Sequence, residues 1–140
     1  MNTRVNDTGE HEIIKLQGRV TRGIGQSALF TEIPWVKKQF AEKLGIIPYP
    51  GTFNITVVAD DMAKLKQVRE TKGIEIPPED LNFCSANSLR VLINNQIKGA
   101  AIIPSVTDYP PGQLEIIAAE HVKESLALKD GDPVEVKVYL

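Results

Sequence analysis

In segment after segment of this chain, apolar residues stand at every second position until glycine, proline or paired asparagine cuts the run short. The last segment, DPVEVKVYL, alternates through Val134, Val136 and Val138, and the first, EIIKLQGRVT, through Ile14, Leu16, Gly18 and Val20. A period of two places alternate side chains on one face of a strand. Further short strands are expected in ALFTEI, TFNITVVA and LEIIAA, and in SLRVLINNQIKGAAIIP as two strands joined at Asn94-Asn95, a hairpin signal. Helical spacing is rarer. PWVKKQFAEKLG has Pro34 in its first turn, Val36, Phe40 and Leu44 along one side and Gly45 to end it. DDMAKLKQVRETKG and EHVKESLALKDG read as shorter helices, IEIPPEDLNF as a proline-bearing connector and TDYPPGQ as a turn-rich loop. Short, evenly punctuated strands that outnumber helices favour a mainly β chain, a small barrel or sandwich, over a doubly wound α/β sheet.

A chain of 140 residues that is 42% apolar suits one soluble domain with a real core. Its net charge of −2 gives no pull toward nucleic acid or anionic lipid. No apolar segment nears the ~18 residues a membrane span needs, and the polar N-terminus lacks the apolar centre of a signal peptide. Residues 1–12 read as a flexible lead-in and 13–140 as a single domain. The single cysteine, Cys84, excludes an internal disulfide and fits a reducing, cytoplasmic setting. Beside an apolar run it is expected to be a buried, inert thiol.

The stretch GIIPYPGTFNITV, Gly45 to Val57, sets rigid and permissive backbone directly before two small polar side chains. Pro48 and Pro50 stiffen the entry to the strand, and Gly51 lets something approach the backbone closely. Thr52 and Asn54 are two residues apart on a strand, so they point the same way, with Phe53 and Ile55 opposite. Each offers a hard oxygen. Two neutral ligands suit a Mg²⁺ that keeps several waters and takes its other ligands from phosphates. Taken alone, the same residues better suit a β-turn feeding an edge strand, where they would cap backbone groups.

Three other features carry chemistry only in combination. In RGIGQSALF, Gly23 and Gly25 let backbone N–H groups turn toward an anion, or simply form a hairpin loop. No G-K-[ST] follows, so it is not a P-loop, and it lacks the third glycine of a dinucleotide fingerprint. Glu115 interrupts the apolar strand LEII and either faces solvent or marks a pocket, with Thr107 in the loop before it. His11 and His121 have no metal-ligand spacing and read as surface residues, and Trp35, at a helix start, as core.

Taken in order, GRVTRGIGQSALFTEIPWVKKQF, KLGIIPYPGTFNI and GAAIIPSVTDYPPGQLEIIAAEHVKESLALKDGDPVEV resemble the archaeal-type CTP-dependent riboflavin kinases, from about Gly18 to Val138. The resemblance implies a six-stranded cradle-loop β-barrel with short peripheral helices. It implies transfer of the γ-phosphoryl of CTP to the 5′-hydroxyl of riboflavin, giving FMN and CDP. It assigns Thr52 and Asn54 to Mg²⁺ or another divalent ion. Nucleotide contacts fall to Ile24, Gly25, Gln26, Ser27, Ala28 and Leu29 and to Glu120, His121, Val122 and Lys123, and flavin contacts to Thr107 and Glu115. Glu115 is further expected to orient the ribityl hydroxyl and to accept its proton. The chain departs from the family's usual pattern at Ser27 for a third glycine, Phe53 for leucine, Ala119 for proline, Val122 for leucine and Lys123 for arginine. Expected partners are riboflavin and CTP, without nucleic acid or membrane, on a monomer or weak dimer. The competing readings are a relative with a different nucleotide or polyol acceptor, and a non-catalytic flavin- or nucleotide-binding regulatory module.

Overall fold

Among the described residues the alternating segments form seven strands: β1 (Ile13–Thr21), β2 (Phe53–Val57), β3 (Ile74–Ile76), β4 (Ala86–Ile93), β5 (Ile97–Pro104), β6 (Gln113–Ala118) and β7 (Pro133–Tyr139). The α-helices among the described residues are α1 (Pro34–Gln39), α2 (Met62–Glu70) and α3 (Val122–Ser125). The structure is a computed structural model and describes residues 12–23, 31–80, 84–106 and 109–140.

All pairings are antiparallel, in the order β3-β4-β5-β6-β2-β1-β7. Strand β7 returns to β4, from Val91↔Val138 to Ile93↔Val136, and closes six strands into a barrel. Because β5 pairs along the whole of β4, β3 and β7 must share its other edge: β3 takes Ala86–Ser88 and β7 takes Val91–Ile93. Closure leaves the six barrel strands no long open edge.

The period-two pattern sorts side chains into two cores. Inside the barrel lie Leu16, Val20, Ile55, Val57, Leu89, Val91, Leu114, Ile116, Val134 and Val136, with Leu65 and Val68 of α2 packed against them. Outside, α1 and the π-helical turn that follows it (Phe40–Leu44) lay Val36, Phe40 and Leu44 over Ile76, Ala86, Ala100, Ile102 and Ile117. This second core explains why β5 and β6 read as near-continuous apolar runs: both of their faces are covered. Hydrogen bonds fix α1 and its continuation in place. Gln39 Nε2 donates to Pro77 O (2.8 Å), Lys43 Nζ to Glu75 O (3.0 Å) and Arg90 Nη1 to Leu44 O (2.7 Å).

Where strands crowd inside the barrel, side chains shrink. Gly99 pairs with Ala118, and a Cβ on Gly99 would stand 2.5 Å from the Ile117 carbonyl oxygen. Backbone cannot yield cheaply, so Gly99→Ala is expected to destabilise the protein by about 1–3 kcal/mol. Urea unfolding checks this; an unchanged midpoint contradicts it.

Several sequence expectations need correction. The strand expected in ALFTEI falls partly outside the described residues, and within them Thr31 and Glu32 lie in a helical turn. The connector IEIPPEDLNF begins with β3, whose three residues are too few to show a period. The helix in EHVKESLALKDG is only α3, because Ala127 turns to a positive φ of 54°. Cys84 is exposed, not buried, since it precedes β4 rather than lying in it. Asn94 and Asn95 do form the tight hairpin, with φ of 48° and 57° as a type I′ turn requires. No helix among the described residues is long and apolar enough to cross a membrane.

Candidate functional site

Helix α1 and its π turn end at Gly45, whose φ of 70° satisfies the left-handed stop, with Gly45 N donating to Ala41 O and Ile46 N to Phe40 O. The chain then enters the proline-rich loop. Pro48 is buried, and Tyr49 N donates to Ala118 O (2.8 Å), which ties the loop to the end of β6. Gly51 takes φ 97° while its N–H donates to Thr31 Oγ1 (2.8 Å), itself fully buried. The prolines and the glycine therefore deliver Thr52 to the mouth of β2 from a fixed direction.

Asn54 is 5% exposed. Its Nδ2 donates to Thr52 O (3.1 Å) and Thr52 Oγ1 (2.9 Å), and its Oδ1 accepts from Gln113 Nε2 (3.1 Å). Gly23 closes over it: a Cβ there would stand 2.6 Å from Asn54 Nδ2. The register places Thr21, Asn54, Glu115 and Ile102 in one cross-strand row on the outer face. Asn54 and Glu115 are direct partners, with side chains a few ångströms apart.

Around Glu115 the sequence left three participants unseen. Tyr109 brings a buried hydroxyl to the side of the Glu115 carboxyl. It lies near enough to Glu115 for each to shift the other. Burial, then the Glu115 charge, pushes the Tyr109 hydroxyl up. Burial likewise pushes the Glu115 carboxyl up, and Tyr109 partly offsets this. Arg69 of α2 stands 5.5 Å from the Tyr109 ring centroid and donates through Nη2 to Gln113 O (2.8 Å) and Pro110 O (3.3 Å), pinning the loop before β6. Parity exposes Gln113, two residues before Glu115 on one strand face. Tyr109 and Arg69 come from other elements, and no spacing reveals them.

Native Glu115 thus holds its proton more tightly than the unfolded chain does. Its contribution to stability is most favourable below the ordinary carboxylate range and declines as pH rises through the raised pKa. Glu115→Gln, which cannot ionise, is expected to melt higher than the native protein at neutral pH. The gap should narrow toward about pH 3, where the carboxyl is protonated in both states. Melting curves across that range check this; a gap that widens on acidification contradicts it.

Thr52 also borders a cleft of about 90 Å³ lined by Tyr49, Pro50, Gly51, Phe53, Ile116, Ala118, Glu120, His121, Val122 and Lys123. His121 stacks on Tyr49, with centroids 4.8 Å apart and planes at 11°. It is a half-buried residue at the surface, as expected, and its Nδ1 lies 3.2 Å from Glu124 Oε2 without hydrogen-bond geometry. Val122 sends its side chain into the inner core, 3% exposed. Lys123 Nζ donates to Asp130 Oδ1 (2.9 Å), and that bond and charge hold the exposed Asp130 carboxyl below the usual carboxylate range. The structure thus brings together Thr52, Asn54 and Glu115, and joins Thr52 to Glu120–Lys123. The expected nucleotide contacts Ile24–Leu29 and the flavin contact Thr107 lie outside the described residues.

No group of three or more His, Cys, Asp or Glu among the described residues could hold a metal ion. For a cation, the Thr52–Asn54 pair offers Thr52 Oγ1 and, 2.9 Å from it, the Asn54 Nδ2 position, where the carboxamide turned over would set Oδ1; neighbouring oxygens on a Mg²⁺ with ~2.1 Å bonds stand ~3.0 Å apart.

Residues 20–138 match the family model CTP-dep_RFKase, described as a domain of unknown function, DUF120. A protein of Archaeoglobus fulgidus named riboflavin kinase is 39% identical over 130 residues, covering 91% of this chain and 55% of the relative. One of Methanosarcina acetivorans with the same name is 30% identical, covering 94% and 56%. One of Sulfurisphaera tokodaii, also so named, is 35% identical, covering 92% and 98%. The chain thus spans about half the length of the first two relatives and nearly all of the third. With most of its length matched and the barrel closed as expected, the chain belongs to the CTP-dep_RFKase family.

Proposed function

We propose that this chain is a cytoplasmic phosphotransferase that moves the γ-phosphoryl of CTP to the 5′-hydroxyl of riboflavin, giving FMN and CDP. The observation that carries the reading is the register Asn54↔Glu115. It sets a cation-ligand candidate and a half-buried carboxylate side by side, next to the cleft that Thr52 shares with Glu120–Lys123. The relatives' shared name supplies the substrate class.

Phosphoryl transfer asks the protein for position and charge stabilisation rather than covalent help. Thr52 and Asn54 hold a divalent ion, Mg²⁺ in this reading, which when bound neutralises phosphate charge. Glu120, His121 and Lys123 border the nucleotide, the His121–Tyr49 stack forming a flat wall and Lys123 a cationic edge. Ile24–Leu29 complete the nucleotide contacts and Thr107 the flavin side. Glu115 accepts a hydrogen bond from the ribityl hydroxyl and takes its proton as the new O–P bond forms. The bond between Pγ and its bridging oxygen breaks, and CDP leaves with the electron pair. A raised carboxyl pKa suits that role, because a base closer to neutrality both takes and returns a proton readily.

The test is to incubate the purified chain with riboflavin, Mg²⁺ and either CTP or ATP and to separate the flavins by chromatography. FMN formed with CTP, and lost on chelation of the metal, is the expected result. FMN with ATP alone overturns the donor, and tight flavin binding with no FMN overturns the catalytic reading. Within the same assay, Gly23→Ala is expected to lower turnover at least tenfold, because its methyl group collides with the Asn54 carboxamide. Full activity in that variant contradicts the site as drawn.

A further inference from the structure

We propose that Gln113 is a positioning residue whose side-chain amide decides which end of the Asn54 carboxamide faces Thr52, switching the pair between a self-bonded and a cation-receiving state. This rests on the reading that Thr52 and Asn54 hold the ion.

The orientation in the structure is fixed by chemistry. The Thr52 carbonyl oxygen can only accept, so the Asn54 atom 3.1 Å from it must be the NH₂. The same NH₂ donates to Thr52 Oγ1 at 2.9 Å, and Oδ1 is turned away to accept from Gln113 Nε2 at 3.1 Å. A cation is bound by oxygen, not by an amide NH₂. The pair has the spacing to share an ion, yet presents a donor where a ligand is needed. Turning the Asn54 carboxamide over about its Cβ–Cγ bond exchanges Oδ1 and Nδ2 with no movement of β2.

That turn leaves Nδ2 aimed at Gln113 in a setting where Asn54 is 5% exposed, and a buried donor without an acceptor is costly. Gln113 removes the cost by turning its own amide and offering Oε1. Glutamine alone among neutral side chains of this length can donate in one state and accept in the other. Its backbone is meanwhile anchored, paired with Thr56 and accepting from Arg69 Nη2 at 2.8 Å, so only the amide has to move. Gly23 leaves the room: a Cβ there would stand 2.6 Å from Asn54 Nδ2 and 3.4 Å from Oδ1.

The experiment measures Mn²⁺ binding to the purified full chain in the presence of CDP, reading free Mn²⁺ by electron paramagnetic resonance. Gln113→Met, which neither donates nor accepts strongly, is expected to weaken Mn²⁺ binding about tenfold. In an Asn54→Asp background both carboxylate oxygens can serve as ligands and no orientation is needed, so Gln113→Met should there change little. A general loss of packing would weaken both backgrounds alike, and that result, or an unchanged affinity of Gln113→Met alone, overturns the proposal while leaving the ion reading intact. Mn²⁺ binding that survives Thr52→Ala unchanged overturns both. Should Gln113→Met fail to fold, Gln113→Glu decides. Offering only acceptors, it should bind Mn²⁺ at least as tightly as the native chain, and weaker binding contradicts the switch.

Discussion

Asn54→Ala is expected to reduce FMN formation by about 10²–10³-fold, the scale of losing one well-placed electrostatic contact to a transition state. The variant keeps its fold. What it loses in stability is the bonding of a 5% exposed carboxamide to Thr52 and Gln113, about 1–3 kcal/mol. Turnover measured beside a melting curve separates the two roles left open by the sequence. If Asn54 served only to tie down Thr52, the loss of activity would follow the loss of folded protein and vanish at a temperature where the variant is fully native. A residual defect of two orders of magnitude in fully folded protein is the expected outcome.

Phe40→Ala is expected to cost about 3–5 kcal/mol and lower the melting temperature by on the order of 10 °C. Phe40 is fully buried at the centre of the outer core, where the π turn after α1 meets Ala86, Ala100, Ile102 and Ile117. Its removal bears on function as well. The chain runs from that turn through Gly45 into the loop that delivers Thr52, so a loosened outer core moves the cation site without touching it. Activity at temperatures where the variant is still folded is expected to fall with a larger rise in KM for nucleotide than in the Gly99→Ala variant, whose lesion lies inside the barrel. A small shift in melting temperature contradicts the view that the outer core is a stabilising layer.

The strands were legible because barrel closure gives each an inner face of strict period two; β1 and β7 show it residue by residue. What escaped were features set by distant partners. Strand β3 exists because Ala86–Ser88 offers it an edge left over by β7, which no local pattern announces. Cys84 lies next to an apolar run in sequence and yet outside the sheet, since burial begins with the pairing at Ala86. The candidate site divides in the same way. Thr52, Asn54 and Glu115 stood out as polar groups at the ends and middles of strands. Gln113 was readable by parity with Glu115 but looks like any solvent-facing residue until the register sets Asn54 beside it. Tyr109 and Arg69 join the site across a loop and a helix, and only the fold brings them together.

The most direct measurement is a crystal structure of the chain with CDP and Mn²⁺, located by its anomalous scattering. The account predicts a manganese ion between Thr52 Oγ1 and an Asn54 carboxamide turned over to present Oδ1, with Nδ2 now on Gln113. Manganese bound elsewhere in the cleft, with the Asn54 NH₂ still on the Thr52 carbonyl, contradicts it.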